Sequence, residues 1–551
     1  MKKIFLILVL FCLISFSSDK KIIYSGWDSP TTDFVKENWK NMDKVPIDGF
    51  SLRIKIDRKG PPQTGNDLGW NLGGTRKFKF EDFKEAIEDM KDVKFKSLKD
   101  IFLTVQPNCG FSSGLTWFDE PRWDIFLNNI EVITRIAKEI KAVGLIIDWE
   151  AYNYNLFFYP YHKEKFFDAP FEDYEKKAFE RGSEMIKRIN KIFPDIKIYF
   201  YYSWEAILDS LEKYNNDLSR AGYGLLFPFL EGMLSSSDKR TVFINGYEPS
   251  YGYKNEMSFK EAKRRVLEEG IKITKYPEKF KKQVKMGYGL WLDYGGKGWD
   301  INDFENNYFT PEEFENALGY ALKYTDEYVW IYSHHARFFN NPNIPEKYIN
   351  AFKNVKNKNW VPVKTERKKE YKSEKTTITP LKTAEYIERN PRYKEENVFK
   401  DFYEKYKFVM DLPLSGWKFK EDPENKGEKE GYYREDFDDK DWKDIKIAQW
   451  WEDFGINYDG YAWYRGEFEV SKDILNRKLY LVFGAVDESC SVYINGRFAG
   501  KHDVGESGWD MPFKIDVSGK LKEGKNKIVV KVYDSVNYGG IWQKIKLFTE
   551  K

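Results

Sequence analysis

The chain has 551 residues, more than one hydrophobic core usually supports, so we expect at least two domains. Its 90 basic and 88 acidic residues nearly cancel, which argues against nucleic acid or an anionic membrane surface as a partner. Aromatic residues make up 18% of the chain, and those left outside the cores offer flat apolar faces for stacking.

The N-terminal segment MKKIFLILVLFCLISFSS combines two lysines, an apolar run and small residues near its end. The run is too short for a transmembrane helix, so the pattern predicts a signal peptide at residues 1–17. We therefore expect a secreted or periplasmic protein that is not inserted in the membrane after cleavage. Cys109 and Cys490 would then remain, far apart in sequence, and no disulfide framework is expected.

Residues 18–355 alternate between apolar strand-like runs and amphipathic helical stretches. The predicted strands are 22–27, 48–54, 101–106, 144–150, 196–204, 241–246, 284–293 and 327–335. Thr310, Pro311 and Glu313 indicate the start of one helix, with a capping box and proline in the first turn. Strand followed by helix, repeated through eight strands, predicts a (β/α)₈ TIM barrel.

In such a barrel the functional site lies at the C-terminal ends of the strands. Polar and aromatic residues follow every predicted strand, and the loops beyond them are long and aromatic. The side chains predicted to contact a ligand there are Trp27, Asp28, Arg53, Asn108, Tyr202, Trp204, Tyr247, Trp291, Trp330, Tyr332 and His334.

The segment GLIIDWEAYNY, residues 144–154, ends a buried strand with two carboxylates. Asp148 and Glu150 are two positions apart, so on a strand they point to the same side. This strand end is similar to the D-x-E motif of family 18 chitinases and related hexosaminidases. The resemblance implies that Glu150 is an acid and that Asp148 steadies an acetamide. That family's two further upstream Asp residues are replaced here by Val143 and Ile146, so only Asp148 and Glu150 carry over.

Cleaving a glycosidic bond needs a proton donor and a second group that supplies or stabilises a nucleophile. Glu150 would serve as the donor if partial desolvation raises its pKa, and an ionised Asp148 beside it would raise that pKa further. Asp293 and Glu248 end the seventh and sixth strands, and either can be the partner. A substrate-assisted mechanism that uses Asp148 is the third alternative.

After the barrel, residues 356–404 are rich in Lys and Glu and have little periodicity, which predicts a charged linker. Residues 405–551 show short alternating strands, and Asn495-Gly496 is a strong hairpin signal, so this part predicts a β-sandwich or jelly roll. The segments GYAWYRGEFEV, LYLVFGAVDESCSVYINGRFAGKH and GGIWQKIKL resemble the galactose-binding-like sugar-binding domain of family 2 glycosidases, such as β-galactosidases and β-glucuronidases.

Together these features predict an exported glycoside hydrolase that acts on a poly- or oligosaccharide through carboxylate acid/base catalysis. The alternative is a catalytically silent glycan-binding protein that uses the same aromatic cleft. The chain has only four histidines, two of them adjacent, which argues against metal-dependent hydrolysis, so no cofactor and no metal are expected. The oligomeric state is left open.

Overall fold

The fold combines a parallel barrel with a C-terminal antiparallel sandwich. A computed structural model of the chain describes residues 20–107, 114–151, 154–214, 216–295, 298–367, 382–456, 458–503, 508–534 and 538–551. Both predicted architectures are confirmed. Within these ranges no helix is long and apolar enough to cross a membrane. The predicted signal peptide and Asn108 lie outside the described residues.

The barrel strands follow the predicted order but end earlier than predicted. They are β1 (Lys21–Tyr24), β2 (Gly49–Leu52), β3 (Asp100–Val105), β4 (Gly144–Ile147), β5 (Lys197–Phe200), β6 (Val242–Asn245), β7 (Val284–Met286), β8 (Tyr288–Trp291) and β9 (Tyr328–Tyr332). Most of the polar candidates therefore lie in the loops just beyond the strands.

These nine strands form one parallel sheet in the order β7-β6-β5-β4-β3-β2-β1-β9-β8. The two edge strands are successive pieces of chain separated only by Gly287, so the sheet closes into a barrel with eight strand positions. The Gly287 N–H donates to the Asn245 carbonyl at 2.8 Å. A Cβ on Gly287 would lie 2.5 Å from the Tyr199 hydroxyl, so the crowded barrel interior requires glycine there.

Helices surround the barrel and cover its outer face. A separate interior cluster fills the barrel itself and includes Phe102, Tyr199 and Trp330. The predicted helix start at Thr310 is confirmed, with the reciprocal capping box to Glu313. The α-helices are Thr32–Met42, Leu68–Asn71, Lys84–Lys91, Glu120–Glu139, Tyr159–Lys165, Phe171–Ile192, Trp204–Lys213, Leu226–Ser236, Glu256–Arg264, Gly270–Ile273, Pro277–Gln283, Pro311–Tyr324 and Glu346–Asn354.

The sandwich packs a four-stranded sheet (β10-β19-β14-β17) against a six-stranded sheet (β12-β11-β13-β18-β15-β16), both antiparallel. Asn495 and Gly496 both have positive φ, 48° and 76°, as the predicted hairpin turn between β15 and β16 requires. The strands are β10 (Tyr406–Asp411), β11 (Trp417–Glu421), β12 (Lys443–Ile445), β13 (Gly460–Val470), β14 (Leu479–Phe483), β15 (Ser489–Ile494), β16 (Arg497–Asp503), β17 (Phe513–Asp516), β18 (Gly524–Asp534) and β19 (Ile545–Glu550).

The range 356–404, predicted to be a charged linker, includes exposed residues such as Val361 but also segments that pack on each domain. Arg367 donates to Glu313 on the barrel at 2.7 Å. Farther along, Tyr386 and Tyr393 pack against the buried rings of Trp450 and Trp542 in the sandwich. The helices in this range are Thr383–Arg389, Glu395–Val398 and Lys400–Lys405. A few aromatic side chains among the charged residues provide this packing. The high Lys and Glu content of the range, on which the linker prediction rested, gives no sign of them.

Candidate active site

The carboxylate of Asp148, directly after β4, is buried and held by two hydrogen bonds. Gln106 Nε2 donates to Oδ2 at 2.6 Å, and the Glu150 N–H donates to Oδ1 at 2.8 Å. Burial raises the pKa of Asp148 to about 6 and the nearby Glu150 charge adds to this, while the two hydrogen bonds oppose it. Asp148 therefore changes its protonation state near neutral pH.

Glu150 has an exposed side chain, unlike Asp148. Between them Trp149 turns the other way and packs against Phe157 and Phe229, so the predicted alternation holds across this strand end. The prediction of Glu150 as the acid depended on partial desolvation of its carboxyl. In the structure the desolvated carboxyls are those of other residues, and Glu150 is the carboxylate that solvent and ligand can reach.

Glu248 follows β6 and occupies the same end of the barrel. Its N–H donates to the Tyr201 carbonyl at 3.0 Å, and its carboxyl is hydrogen-bonded to the side chain of Tyr251. The preceding residue, Tyr247, has a positive φ of 45°, which residues other than glycine rarely adopt. The chain therefore turns sharply at Tyr247 and directs Glu248 into the barrel mouth.

The pKa of Glu248 is raised to about 8, mainly by burial and further by the charges of Asp148 and Glu150. Three carboxyls from the ends of β4 and β6 are thus within electrostatic reach of one another. A carboxyl with such a pKa is protonated at neutral pH and can donate a proton, whereas an exposed neighbour can accept one.

Asp293, a predicted partner carboxylate, has its oxygens occupied by hydrogen bonds from the chain itself. The N–H groups of His334 and Ala336 donate at 2.9 Å, the His335 N–H also donates, and Trp291 Nε1 donates at 2.7 Å. This arrangement joins the end of β8 to the loop after β9. It favours a structural anchor over a nucleophile.

Asp28 and Arg53 are likewise engaged within the protein. The Asp28 carboxylate accepts the N–H groups of Phe338 and Phe339, each at 2.7 Å. Arg53 donates to buried Asp67 at 2.6 Å, and Asp67 also accepts from a backbone N–H at the start of the helix Leu68–Asn71. Both residues hold loops at the barrel mouth in place, so neither is directed at a ligand.

Three of the predicted aromatic contacts are core residues. Trp330 is fully buried, stacks on Tyr201 with ring centres 4.1 Å apart, and donates to the Gly246 carbonyl. Trp204 is buried against Phe280, and Tyr247 is also buried. These buried rings do not form the surface of the mouth.

A second set of aromatic side chains forms an open rim, which we call the aromatic rim. Trp27 is 50% exposed and donates through Nε1 to the Tyr332 hydroxyl at 2.8 Å. Trp291 and His334 are partly exposed, with ring centres 4.8 Å apart, and Trp70 lies 6.2 Å from Trp27. Exposed rings of this kind suit the apolar face of a sugar.

The sequence analysis did not select Tyr223, Glu205 or Tyr251, which also lie at this site. Tyr223 contacts Tyr202, which was selected, and the Tyr223 hydroxyl accepts the Ala151 N–H. Behind the mouth, Glu205 is 2% exposed, and burial raises its pKa to about 8. Tyr251 belongs to the loop GYEPSYGY, whose aromatic content was a usable signal, but nothing local marks Glu205, because its burial comes from distant packing.

No metal-ligating group of three carboxylates, histidines or cysteines occurs among the described barrel residues. Within the described chain, one such group lies in the sandwich and consists of Asp487, Glu488 and Asp534.

The sandwich matches a known family. Residues 417–549 match the family described as "Glycosyl hydrolases family 2, sugar binding domain". This confirms the resemblance of the C-terminal domain. The match does not extend to the barrel residues that carry the carboxylates.

Curated relatives show partial similarity. A beta-galactosidase of Thermoanaerobacter pseudethanolicus is 28% identical over 137 residues, which are 21% of this chain and 18% of that protein. A beta-glucuronidase of Formosa agariphila is 34% identical over 70 residues, 13% of this chain and 7% of that protein. The chain thus spans less than a fifth of the length of these relatives. Among solved structures, a β-glucuronidase from Ruminococcus gnavus shares 24% identity over 26% of this chain and 29% of its own, with a TM-score of 0.24, too low to carry an argument.

Proposed function

We propose that the protein is a glycoside hydrolase whose catalytic carboxyls are Glu248 and Glu150. The observation that carries this proposal is the position of Glu248, which the turn at Tyr247 and the bond to the Tyr201 carbonyl hold at the same end of the barrel as the exposed side chain of Glu150. Burial, together with the charges of Asp148 and Glu150, raises the pKa of Glu248 to about 8. Hydrolysis of a glycosidic bond requires one carboxyl that donates a proton and a second that supplies or activates the nucleophile. The sugar-binding family of the sandwich and the partial relatives support a carbohydrate substrate.

In this mechanism Glu248 is the general acid. Its proton passes to the glycosidic oxygen as the bond from that oxygen to the anomeric carbon breaks. The Tyr251 hydroxyl and the Tyr201 carbonyl, which accepts the Glu248 N–H, fix the acid in place. The sequence analysis predicted Glu150 as the acid. The proposal assigns that role to Glu248, because burial raises the pKa of Glu248.

Glu150 is the second catalytic carboxylate. It either attacks the anomeric carbon, which gives a retained product, or takes a proton from an attacking water, which gives an inverted product. Asp148 lies behind it, holds its N–H, and keeps the pKa of Glu248 high through its charge. The family 18 type of mechanism, in which Asp148 would steady an acetamide, stays a prediction.

The test is a screen of plant, algal and amino-sugar glycans with detection of new reducing ends. The wild type should release reducing sugar from at least one glycan, and Glu248→Gln should release far less. Glu164→Gln, a change at an exposed carboxylate outside the site, is the matched control and should behave as the wild type. Proton NMR of the first product then assigns retention or inversion.

Binding without turnover on every glycan would instead identify a silent glycan-binding protein. In that case the aromatic rim would be the site, and Trp27→Ala would weaken binding while Glu248→Gln would not. No binding and no turnover would reject both functions.

Export belongs to the same proposal and is supported by the lysines and the apolar run at the N-terminus. Mass spectrometry of the secreted or periplasmic protein should show a chain that begins near residue 18. Retention of Met1 on most molecules outside the cytoplasm would contradict export by a cleaved signal.

A further inference from the structure

The loop that carries Glu248 continues into a helix that contacts the sandwich. We call residues 247–255 the acid loop. On the barrel side, Ser250 Oγ donates to the Gly289 carbonyl at 2.9 Å, and Tyr308 donates to the Gly252 carbonyl at 2.7 Å. The loop ends at Asn255, whose side chain caps the helix Glu256–Arg264.

The sandwich holds this helix at both ends. Tyr533 donates to Ser258 Oγ at 2.9 Å, and Ser258 Oγ in turn donates to the Asn255 side chain at 3.0 Å. At the other end, Arg264 donates to Asp503 at 3.2 Å. A continuous set of hydrogen bonds therefore runs from β18 of the sandwich to the last residue of the acid loop.

Tyr247 connects the domain interface to the acid directly. Its ring lines a cavity of about 210 Å³ between the domains, together with Tyr461, Tyr533 and Glu488 of the sandwich. The next residue, Glu248, faces the barrel mouth. Because Tyr247 has a positive φ, which its surroundings must maintain, its ring position and the direction of Glu248 are coupled.

We propose that the sandwich positions the catalytic acid: Tyr533 and Asp503 are positioning residues that hold the acid loop and, through Tyr247, the carboxyl of Glu248. This inference rests on the proposed role of Glu248 and adds a task for the C-terminal domain that requires no sugar bound to it. The barrel-side bonds hold Ser250 and Gly252 in the middle of the acid loop, and the sandwich-side bonds hold its last residue, Asn255.

If the acid loop were held less tightly, the pKa of Glu248 would change. The burial that raises its pKa is a property of the loop position, and a more solvated carboxyl would titrate at lower pH. The groups that face Glu248 from outside the acid loop stay in place in such a variant; they are Asp148, Glu150, Glu205, Tyr201, Tyr202 and Tyr332. Tyr251, which also faces Glu248, belongs to the loop and moves with it.

The experiment compares Tyr533→Phe, Ser258→Ala and the double variant in the full-length protein. Tyr480→Phe is the matched control, because the Tyr480 hydroxyl bonds Glu550 within the sandwich. We expect kcat to fall about tenfold in each single variant with KM little changed, and the double variant to be no worse than the singles. The basic limb of the pH–rate profile should move to lower pH, and the control should leave it unchanged.

A second readout does not depend on turnover. Infrared spectroscopy of protein with ¹³C-labelled Glu carboxyls, with Glu248→Gln as the assignment reference, follows the titration of Glu248 itself. A lower titration midpoint in Tyr533→Phe, but not in Tyr480→Phe, supports the positioning role. If this shift occurs but no glycan is cleaved, the proposed function is rejected and the positioning role is kept. Unchanged titration and unchanged kcat in Tyr533→Phe and in Asp503→Asn would overturn the inference, whatever their melting temperatures.

Discussion

The N–H of Glu150 donates to Oδ1 of Asp148 at 2.8 Å, so the buried carboxylate fixes the backbone of the exposed one. The same Asp148 charge raises the pKa of Glu248 across the barrel mouth. One residue therefore holds the backbone of one proposed catalytic residue and adds to the raised pKa of the other.

Asp148→Asn keeps the shape of the side chain and removes its charge. Without that charge the pKa of Glu248 should fall, because burial and Glu150 alone would then raise it. We expect the basic limb of the pH–rate profile to move to lower pH and kcat at pH 7 to fall by about 10-fold to 100-fold. The profile of Asp168→Asn, a change at an exposed carboxylate, should match the wild type.

Glu205→Gln tests the buried carboxyl behind the mouth. The folded-state pKa of Glu205, about 8, lies above its unfolded value, so Glu205 contributes stability at pH below the unfolded value, and this contribution is lost as pH rises through about 8. Urea unfolding of the wild type should show stability that declines between about pH 5 and pH 8, and Glu205→Gln should flatten that decline. An equal slope in the variant and in the exposed control Glu172→Gln would show that Glu205 does not titrate in this window.

Asp293→Ala separates an anchor from a nucleophile. Loss of the carboxylate leaves one buried and three partly buried N–H groups without their acceptor, so we expect a loss of about 3 kcal/mol in stability, measured by urea unfolding. Azide should not restore its activity. Glu150→Ala, in contrast, should be rescued by azide if the enzyme retains configuration, because the anion fills the vacated position. Rescue of Asp293→Ala would return Asp293 to the role of nucleophile.

Trp27→Ala tests the aromatic rim. The ring is half exposed and makes few core contacts, so its loss should weaken glycan binding about tenfold, as measured by calorimetry, and leave the melting temperature nearly unchanged. Phe167→Ala is a fair comparison, because that ring is also 50% exposed but lies outside the rim. Equal affinities of both variants and the wild type would remove Trp27 from the site.

Local patterns in the sequence predict the elements of this fold well. Each of the eight apolar runs of the barrel overlaps an observed strand, and the seventh overlaps two, because burial on both faces requires a local apolar run. The hairpin at Asn495-Gly496 and the helix start at Thr310 also follow from two to four adjacent residues.

The state of each carboxyl is not local and could not be predicted in this way. Asp293 is saturated by N–H groups more than 40 positions later, and nothing in its own segment reports them. Glu150 and Glu248 both follow apolar runs, yet the first is exposed and the second has its pKa raised by burial. The pKa of Glu248 is raised by its burial and by the charges of Asp148 and Glu150, and only the assembled barrel mouth brings these together.

The central claim is that the carboxyl of Glu248 donates the proton that cleaves a glycosidic bond. The most direct measurement is kcat of Glu248→Gln on a glycan that the wild type cleaves, together with its affinity for that glycan. The variant cannot donate the proton but keeps the shape and a hydrogen-bonding head, so kcat should fall by about 10²–10⁴ while binding is largely preserved. A kcat close to that of the wild type, on the same glycan and at the same pH, would contradict the assignment of Glu248 as the acid.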